Sequence, residues 1–142
     1  MSESVHLSSA GTGVEYAAPD ATVTVKIGTE HTAGQYEVFE IDAPRADAAL
    51  PHREAWSKAF YVLQGRILVQ AEDQGYDLGP GASISIPAGT LNTFSVLTPT
   101  AKFLVISQTG RMGAFFADLA DADPTDYVAL GAVAARHGVD LR

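Results

Sequence analysis

Lys58-Ala59-Phe60-Tyr61-Val62-Leu63-Gln64-Gly65-Arg66-Ile67-Leu68-Val69-Gln70-Ala71 is the stretch that decides the fold class. Its aromatic and β-branched residues fill two runs of strand length, Lys58 to Leu63 and Arg66 to Ala71, on either side of a Gln-Gly pair. Gly65 accepts the positive φ of a tight turn, so Gln64-Gly65 can supply a hairpin between them. In the first run Lys58, Phe60 and Val62 share one face and Ala59, Tyr61 and Leu63 the other. Both faces are apolar, so alternation alone does not choose the buried one.

Working outward, the same pattern of short runs closed by Gly, Pro, Asp or Asn recurs. The further candidates are Thr22 to Ile27, Gln35 to Ile41, Gly75 to Leu78, Ala82 to Ile86, Asn92 to Leu97 and Lys102 to Gln108. Gly79-Pro80-Gly81 is a strong break, and Ala82-Ser83-Ile84-Ser85-Ile86 alternates as a half-buried strand does. Eight such strands predict an all-β sandwich or barrel spanning 21–110. Residues 1–20 are rich in Ser, Gly and Ala without a period, and read as a loosely ordered arm able to pack on a partner or add a strand to a neighbour. After Gly110 the period becomes helical: Met112, Phe115, Phe116 and Leu119 predict one helix. Pro124-Thr125-Asp126 starts a second through Val128, Leu130, Val133 and Ala134, with Gly138 as its stop. Phe115 and Phe116 read as core packing rather than a ligand lid. The helices make 111–142 an extension of the same domain.

Composition narrows the function. The chain has 142 residues, 46% of them hydrophobic, which fills one core. A net charge of −8 with nine scattered Lys and Arg repels a phosphate backbone, so no nucleic-acid partner is expected. There is no cysteine for a disulfide, a thiolate metal site or a thiol nucleophile. The start lacks a signal-peptide pattern and no stretch has membrane-helix length, so a soluble, cytoplasmic protein is expected. No internal repeat is present.

Two stretches resemble the paired motifs of the cupin superfamily. The first motif of that family runs His-x-His, three or four residues, Glu, six residues, Gly; here His52 through Gly65 fits that frame, with Phe60-Tyr61-Val62-Leu63-Gln64-Gly65 similar to its ending. The second runs Gly, five residues, Pro-x-Gly, two residues, His, three residues, Asn; Gly81, Pro87, Gly89, Asn92 and Val96 fall at that spacing. The tail from Gly110 through Phe115-Phe116 to Arg136-His137-Gly138-Val139 is similar to the ending of small bacterial quercetin-dioxygenase-like cupins. The resemblance implies a jelly-roll barrel, a double-stranded β-helix, with C-terminal helices.

In that family the metal is held by the two His and the Glu of the first motif and the His of the second. Those positions carry over to His52, Glu54, Lys58 and Asn92, of which only one has the expected residue. An amide is a weak ligand and a protonated Lys repels a divalent cation, so neither a metal nor another cofactor is expected. His6, His31 and His137 are the histidines left to replace lost ligands, and His31 reads first as a surface-loop residue. What remains is an acid–base set, with His52 as base, Glu54 orienting it or carrying a proton, Lys58 stabilising developing negative charge and Asn92 positioning a carbonyl. The alternative for Glu54 and Lys58 is a solvent-exposed ion pair. Phe39, Phe60 and Phe94 are the expected substrate walls, with Trp56 as either a wall or a dimer contact.

Three functions compete. The first is metal-independent acid–base chemistry, an isomerisation, dehydration, cyclisation or decarboxylation, on a small apolar, aromatic or polyketide-like metabolite. The second is a metal-dependent, quercetinase-like dioxygenase, and the third a non-catalytic small-molecule binder. A homodimer is expected in each case.

Overall fold

The computed structural model describes residues 5–18, 21–48, 50–108, 111–123 and 125–141. Gly110 and Pro124, the expected helix borders, lie outside them, as do 1–4, 19–20 and Arg142. In chain order the strands are β1 (Val14–Ala18), β2 (Ala21–Ile27), β3 (Glu37–Ala46), β4 (His52–Glu54), β5 (Lys58–Gln64), β6 (Ile67–Ala71), β7 (Gln74–Leu78), β8 (Ser83–Ile86), β9 (Asn92–Ser107) and β10 (Val139–Leu141). Two helices, α1 (Met112–Asp121) and α2 (Tyr127–Arg136), separate β9 from β10.

The long strand β9 organises the sheet. Its C-terminal half pairs with β3 on one side and β5 on the other. Its N-terminal half pairs with β6 and, through Asn92 opposite His52, with β4. All pairings are antiparallel, and they define two layers that share β9: β1-β2-β3-β9-β5-β8 and β10-β4-β9-β6-β7. The layers curl round one core in a jelly roll.

This topology corrects several sequence expectations. β5 and β6 do not form a hairpin; each pairs with a different half of β9. Gly65 has the expected positive φ of 76°, but it carries the chain between layers, and a Cβ there would lie 2.4 Å from the Thr100 carbonyl oxygen at the bend of β9. The two last expected strands are one continuous strand. Part of the expected loose arm, Val14–Ala18, adds a strand to its own sheet by pairing with β2. β4 and β10, three residues each, carry no sequence signal, because a short polar run such as His52-Arg53-Glu54 has no readable period.

Tertiary context also settles the face of β5. Phe60 and Val62 point into the core beside Phe103 and Val105, while Tyr61 is 42% exposed on the outside. Each fully buried side chain of this size contributes about 1.5–3 kcal/mol, and together they hold the sheet curled.

The helices close one end of the barrel. Asp126 caps α2 by accepting from the Ala129 amide at 3.0 Å, and Gly138 ends it at φ 77°. Glu37 of β3 accepts from the amides of Met112 (3.0 Å) and Gly113 (3.2 Å), pinning the start of α1 to the sheet. His137 and Asp118, 2.6 Å apart, tie the two helices together. No helix among the described residues is long and apolar enough to cross a membrane.

Candidate functional site

Beneath the helices lies a cavity of about 360 Å³. Val23, Ile41, Phe60, Phe94, Phe103 and Val105 line it from the strands, and Phe115, Phe116, Leu119, Tyr127 and Leu130 from the helices. Its polar lining is Thr93, His52, Glu54 and Lys58. The last three come together because β4 and β5 are joined by a three-residue connection, Ala55 to Ser57, which turns the start of β5 back towards β4.

Glu54 is the centre of this cluster. Its Oε2 faces His52 Nε2 at 3.0 Å and accepts from Lys58 Nζ, while its Oε1 accepts from Asn92 Nδ2 at 3.0 Å. Glu54 and Lys58 are 5% and 6% exposed, so the pair is buried and not the surface ion pair that four-residue spacing also allows. Burial raises the Glu54 carboxyl, but the hydrogen bond from His52 and the charge of Lys58 outweigh it and bring the pKa down to about 2. Burial pushes the Lys58 ammonium down from its ordinary value, and Glu54 opposes that shift. Lys58 Nζ also lies 5.3 Å from the Phe60 ring centroid, a cation–π distance. The two nitrogens of His52 face Glu54 and, at 3.3 Å, the Leu50 carbonyl, so the ring can hold a proton on either side.

Asn92, expected to position a substrate carbonyl, does not line the cavity. Its Nδ2 faces three acceptors, Glu54 Oε1, the His52 carbonyl at 3.2 Å and the Thr90 carbonyl at 2.9 Å, so its two N–H groups are taken up by the protein itself. Its hydrogen bond to Oε1 helps hold the Glu54 carboxylate in place. Of the expected walls, Phe60 and Phe94 line the cavity, but Phe39 and Trp56 do not. Phe39 is fully buried on the same face of β3 as Ile41, covered by Phe116, whose ring lies edge-on at 5.4 Å. Trp56 is buried next to Gly138 and lines a separate pocket with Ala55, Ser57, Ala88, Gln108 and Arg111. Phe115 and Phe116 pack against the core, as read from the sequence, and also line the cavity; with Leu119 they form the helical stripe that could have identified the roof from sequence.

The residues do not fit a divalent metal. Only His52 and Glu54 are strong donors, and the carboxylate is already engaged by an ammonium that stands where a metal's positive charge would be. Nor do the other histidines supply ligands: His6 and His31 stack on each other at 3.4 Å, and His137 is held by Asp118. None of them lines the cavity. Among the described residues no group of three or more His, Asp or Glu is placed to hold a metal ion.

Known proteins share this sequence frame and fold. Residues 38–107 match the family described as Cupin domain. The chain is 27% identical over 93 residues to quercetin 2,3-dioxygenase of Bacillus subtilis (strain 168), an alignment covering 65% of this chain and 28% of that enzyme. The chain thus spans under a third of the length of that curated relative. Among solved structures, KdgF from Halomonas sp. superposes with a TM-score of 0.65 at 18% identity, covering 74% of this chain and 94% of that one. The polyketide cyclase RemF from Streptomyces resistomycificus superposes with a TM-score of 0.57 at 27% identity, covering 75% and 79%.

Proposed function

We propose that this chain, a member of the cupin family through its domain at residues 38–107, is a metal-independent enzyme that moves protons on a small, apolar, ring-bearing carbonyl compound of aromatic or polyketide type. The observation that carries this reading is the His52–Glu54–Lys58 cluster buried in the wall of an otherwise apolar cavity. Burying such groups costs several kcal/mol, and a binding pocket for an apolar molecule has no use for them. His52 takes a proton from carbon next to the carbonyl through Nδ1, which leaves its longer, 3.3 Å contact with the Leu50 carbonyl to do so, while Glu54 at Nε2 orients the imidazole and balances its charge. Lys58 faces the oxygen on which negative charge develops. Proton transfer of this kind supplies about 10²–10⁴-fold, and a charge aimed at the developing oxyanion in a dry cavity adds to it. The likeness to a polyketide cyclase over most of its length supports the substrate class. The same cluster serves an isomerisation, dehydration, cyclisation or decarboxylation, since each passes through a stabilised carbanion.

A dioxygenase reading draws on the Bacillus relative, but needs metal ligands that the Lys58 and Asn92 positions do not supply. The test is the metal content of untagged purified protein by mass spectrometry, run beside deuterium exchange at the α-carbon of 2-tetralone, a two-ring enolisable ketone. Substoichiometric metal with exchange above the buffer rate is the expected result. Near-stoichiometric transition metal would put the dioxygenase reading first, and metal-free protein without exchange would leave a binding module. We also propose a homodimer, for which the exposed Tyr61, Leu63 and Ile106 on the adjacent strands β5 and β9 offer apolar surface; sedimentation analysis tests it.

A further inference from the structure

We propose that Lys58 acts as a covalent catalyst, its amine forming an imine with the carbonyl carbon of an apolar ketone or aldehyde held in the cavity. The inference rests on the reading of this cavity as a reaction site and deepens it, because it names the bond that holds the substrate.

Three observations carry it. First, Lys58 stands apart from the other two lysines of the chain. Lys26 donates to backbone carbonyls of Ser9 and Thr12 at the surface, and Lys102 is about a third exposed, facing Glu40. Lys58 alone lines the cavity. Second, its surroundings suit a reactive amine: a carboxylate, Glu54, in contact to receive a proton, and His52 hydrogen-bonded to that same carboxylate to pass it on. Third, the remaining wall is largely hydrocarbon, with Phe60 beside the amine and Phe94, Phe103 and Val105 lining the same cavity. Such walls exclude water, which favours condensation over hydrolysis of the product. They also select an uncharged ligand, and a carbonyl is the uncharged group on which an amine acts.

The step balances without any added reagent. The Glu54–His52 pair takes one proton from the Lys58 ammonium, Glu54 relaying it to the imidazole, and the freed amine attacks the carbonyl carbon, forming a C–N bond as the C=O π pair moves to oxygen. That oxygen is protonated from the Glu54–His52 pair. The carbinolamine nitrogen returns a proton to the pair, and the hydroxyl leaves as water with a further proton from it. One ammonium and one carbonyl have become one protonated imine and one water. The iminium then draws electrons from the neighbouring C–H, so that His52 removes its proton more readily than from the parent ketone.

The experiment incubates the wild-type protein with 2-tetralone in the presence of cyanoborohydride, maps the adduct by peptide mass spectrometry, and follows α-deuterium exchange in a parallel sample without the reductant. The expected result is one adduct, carrying the mass of the ketone less one oxygen, on Lys58, together with exchange. Exchange without an adduct, or adducts spread equally over Lys26, Lys102 and the N-terminal amine, would overturn the imine and leave proton transfer by His52 standing. Absence of both, with the ketone shown to bind by ligand-observed NMR, would overturn the imine and the acid–base reading together. Lys58→Arg keeps a positive charge but cannot form the imine, and is expected to lose the adduct and about 100-fold in exchange. Full exchange in a folded Lys58→Arg variant would likewise count against the covalent route.

Discussion

Two buried glutamates, Glu54 and Glu37, stand in the same barrel and behave in opposite ways. Both are nearly inaccessible, at 5% and 2% exposed. Glu54 meets charge-bearing side chains, His52 and Lys58, and is drawn down to about 2. Glu37 meets only the amides of Met112 and Gly113, with Glu30 adding repulsion, and burial pushes its carboxyl up. Backbone dipoles satisfy a buried carboxyl's hydrogen-bonding needs without fully offsetting the loss of water around its charge. The first arrangement holds separated charges ready at a cavity wall; the second fastens a helix to a sheet. A buried carboxylate is thus a sign of chemistry when its partners can themselves gain or lose a proton.

The contrast can be broken by experiment, starting where the effect is largest. Lys58→Met is expected to lower ketone exchange by about 10²–10⁴-fold while circular dichroism still shows a folded barrel, with the thermal midpoint lowered because Glu54 loses its counter-charge, and unchanged exchange in the folded variant would remove the lysine from the mechanism. Glu54→Ala leaves a buried ammonium without its counter-charge and is expected to cost about 3–5 kcal/mol in urea unfolding, followed by the fluorescence of Trp56. A cost near zero would mean that the lysine simply turns out to solvent.

Acid titration of stability separates the two carboxyls by sign. Glu54, depressed from 4.5 to about 2, stabilises the fold above pH 4.5, and that share, about 3 kcal/mol, is lost as pH falls towards 2. Glu37 is raised, so its charged form costs stability that returns as pH falls through its folded value. Glu54→Gln should therefore flatten the acid limb of the stability curve, and Glu37→Gln should steepen it. Gly113→Ala sharpens the structural half of the comparison: the added Cβ would lie 2.6 Å from Glu37 Oε2, so about 1–3 kcal/mol should be lost in thermal unfolding. Glu37→Gln itself keeps an oxygen for the α1 amides and is expected to cost only about 1 kcal/mol at neutral pH.

How much of this is legible in the sequence depends on whether the signal is local. Strand runs such as Ala82 to Ile86 and the helical stripe of α1 announce themselves, because their periods are written in consecutive residues. The polar cluster is found by the motif frame, since His52, Glu54 and Lys58 lie close together along the chain. Asn92 is found by the same frame but its surroundings are not, because only the folded chain sets Thr90 and the His52 carbonyl beside its amide. Phe39 stays off the cavity because being aromatic and inward does not say whether another ring, here Phe116, fills the space in front of it. β1 goes unread because a Ser, Gly and Ala-rich stretch becomes a strand only by borrowing the edge of β2.

By itself the sequence determined an all-β domain with a helical tail and a single core, which are properties of composition and of spacing along the chain; the barrel and the altered ligand set came with the resemblance to the cupin motifs. Only the tertiary structure decided that Lys58 and not Tyr61 points inward, that β5 and β6 serve opposite halves of β9, and that the tail roofs a cavity. Those outcomes depend on pairings between residues tens of positions apart, where the free energy comes from burying two faces against each other and neither face alone carries the information.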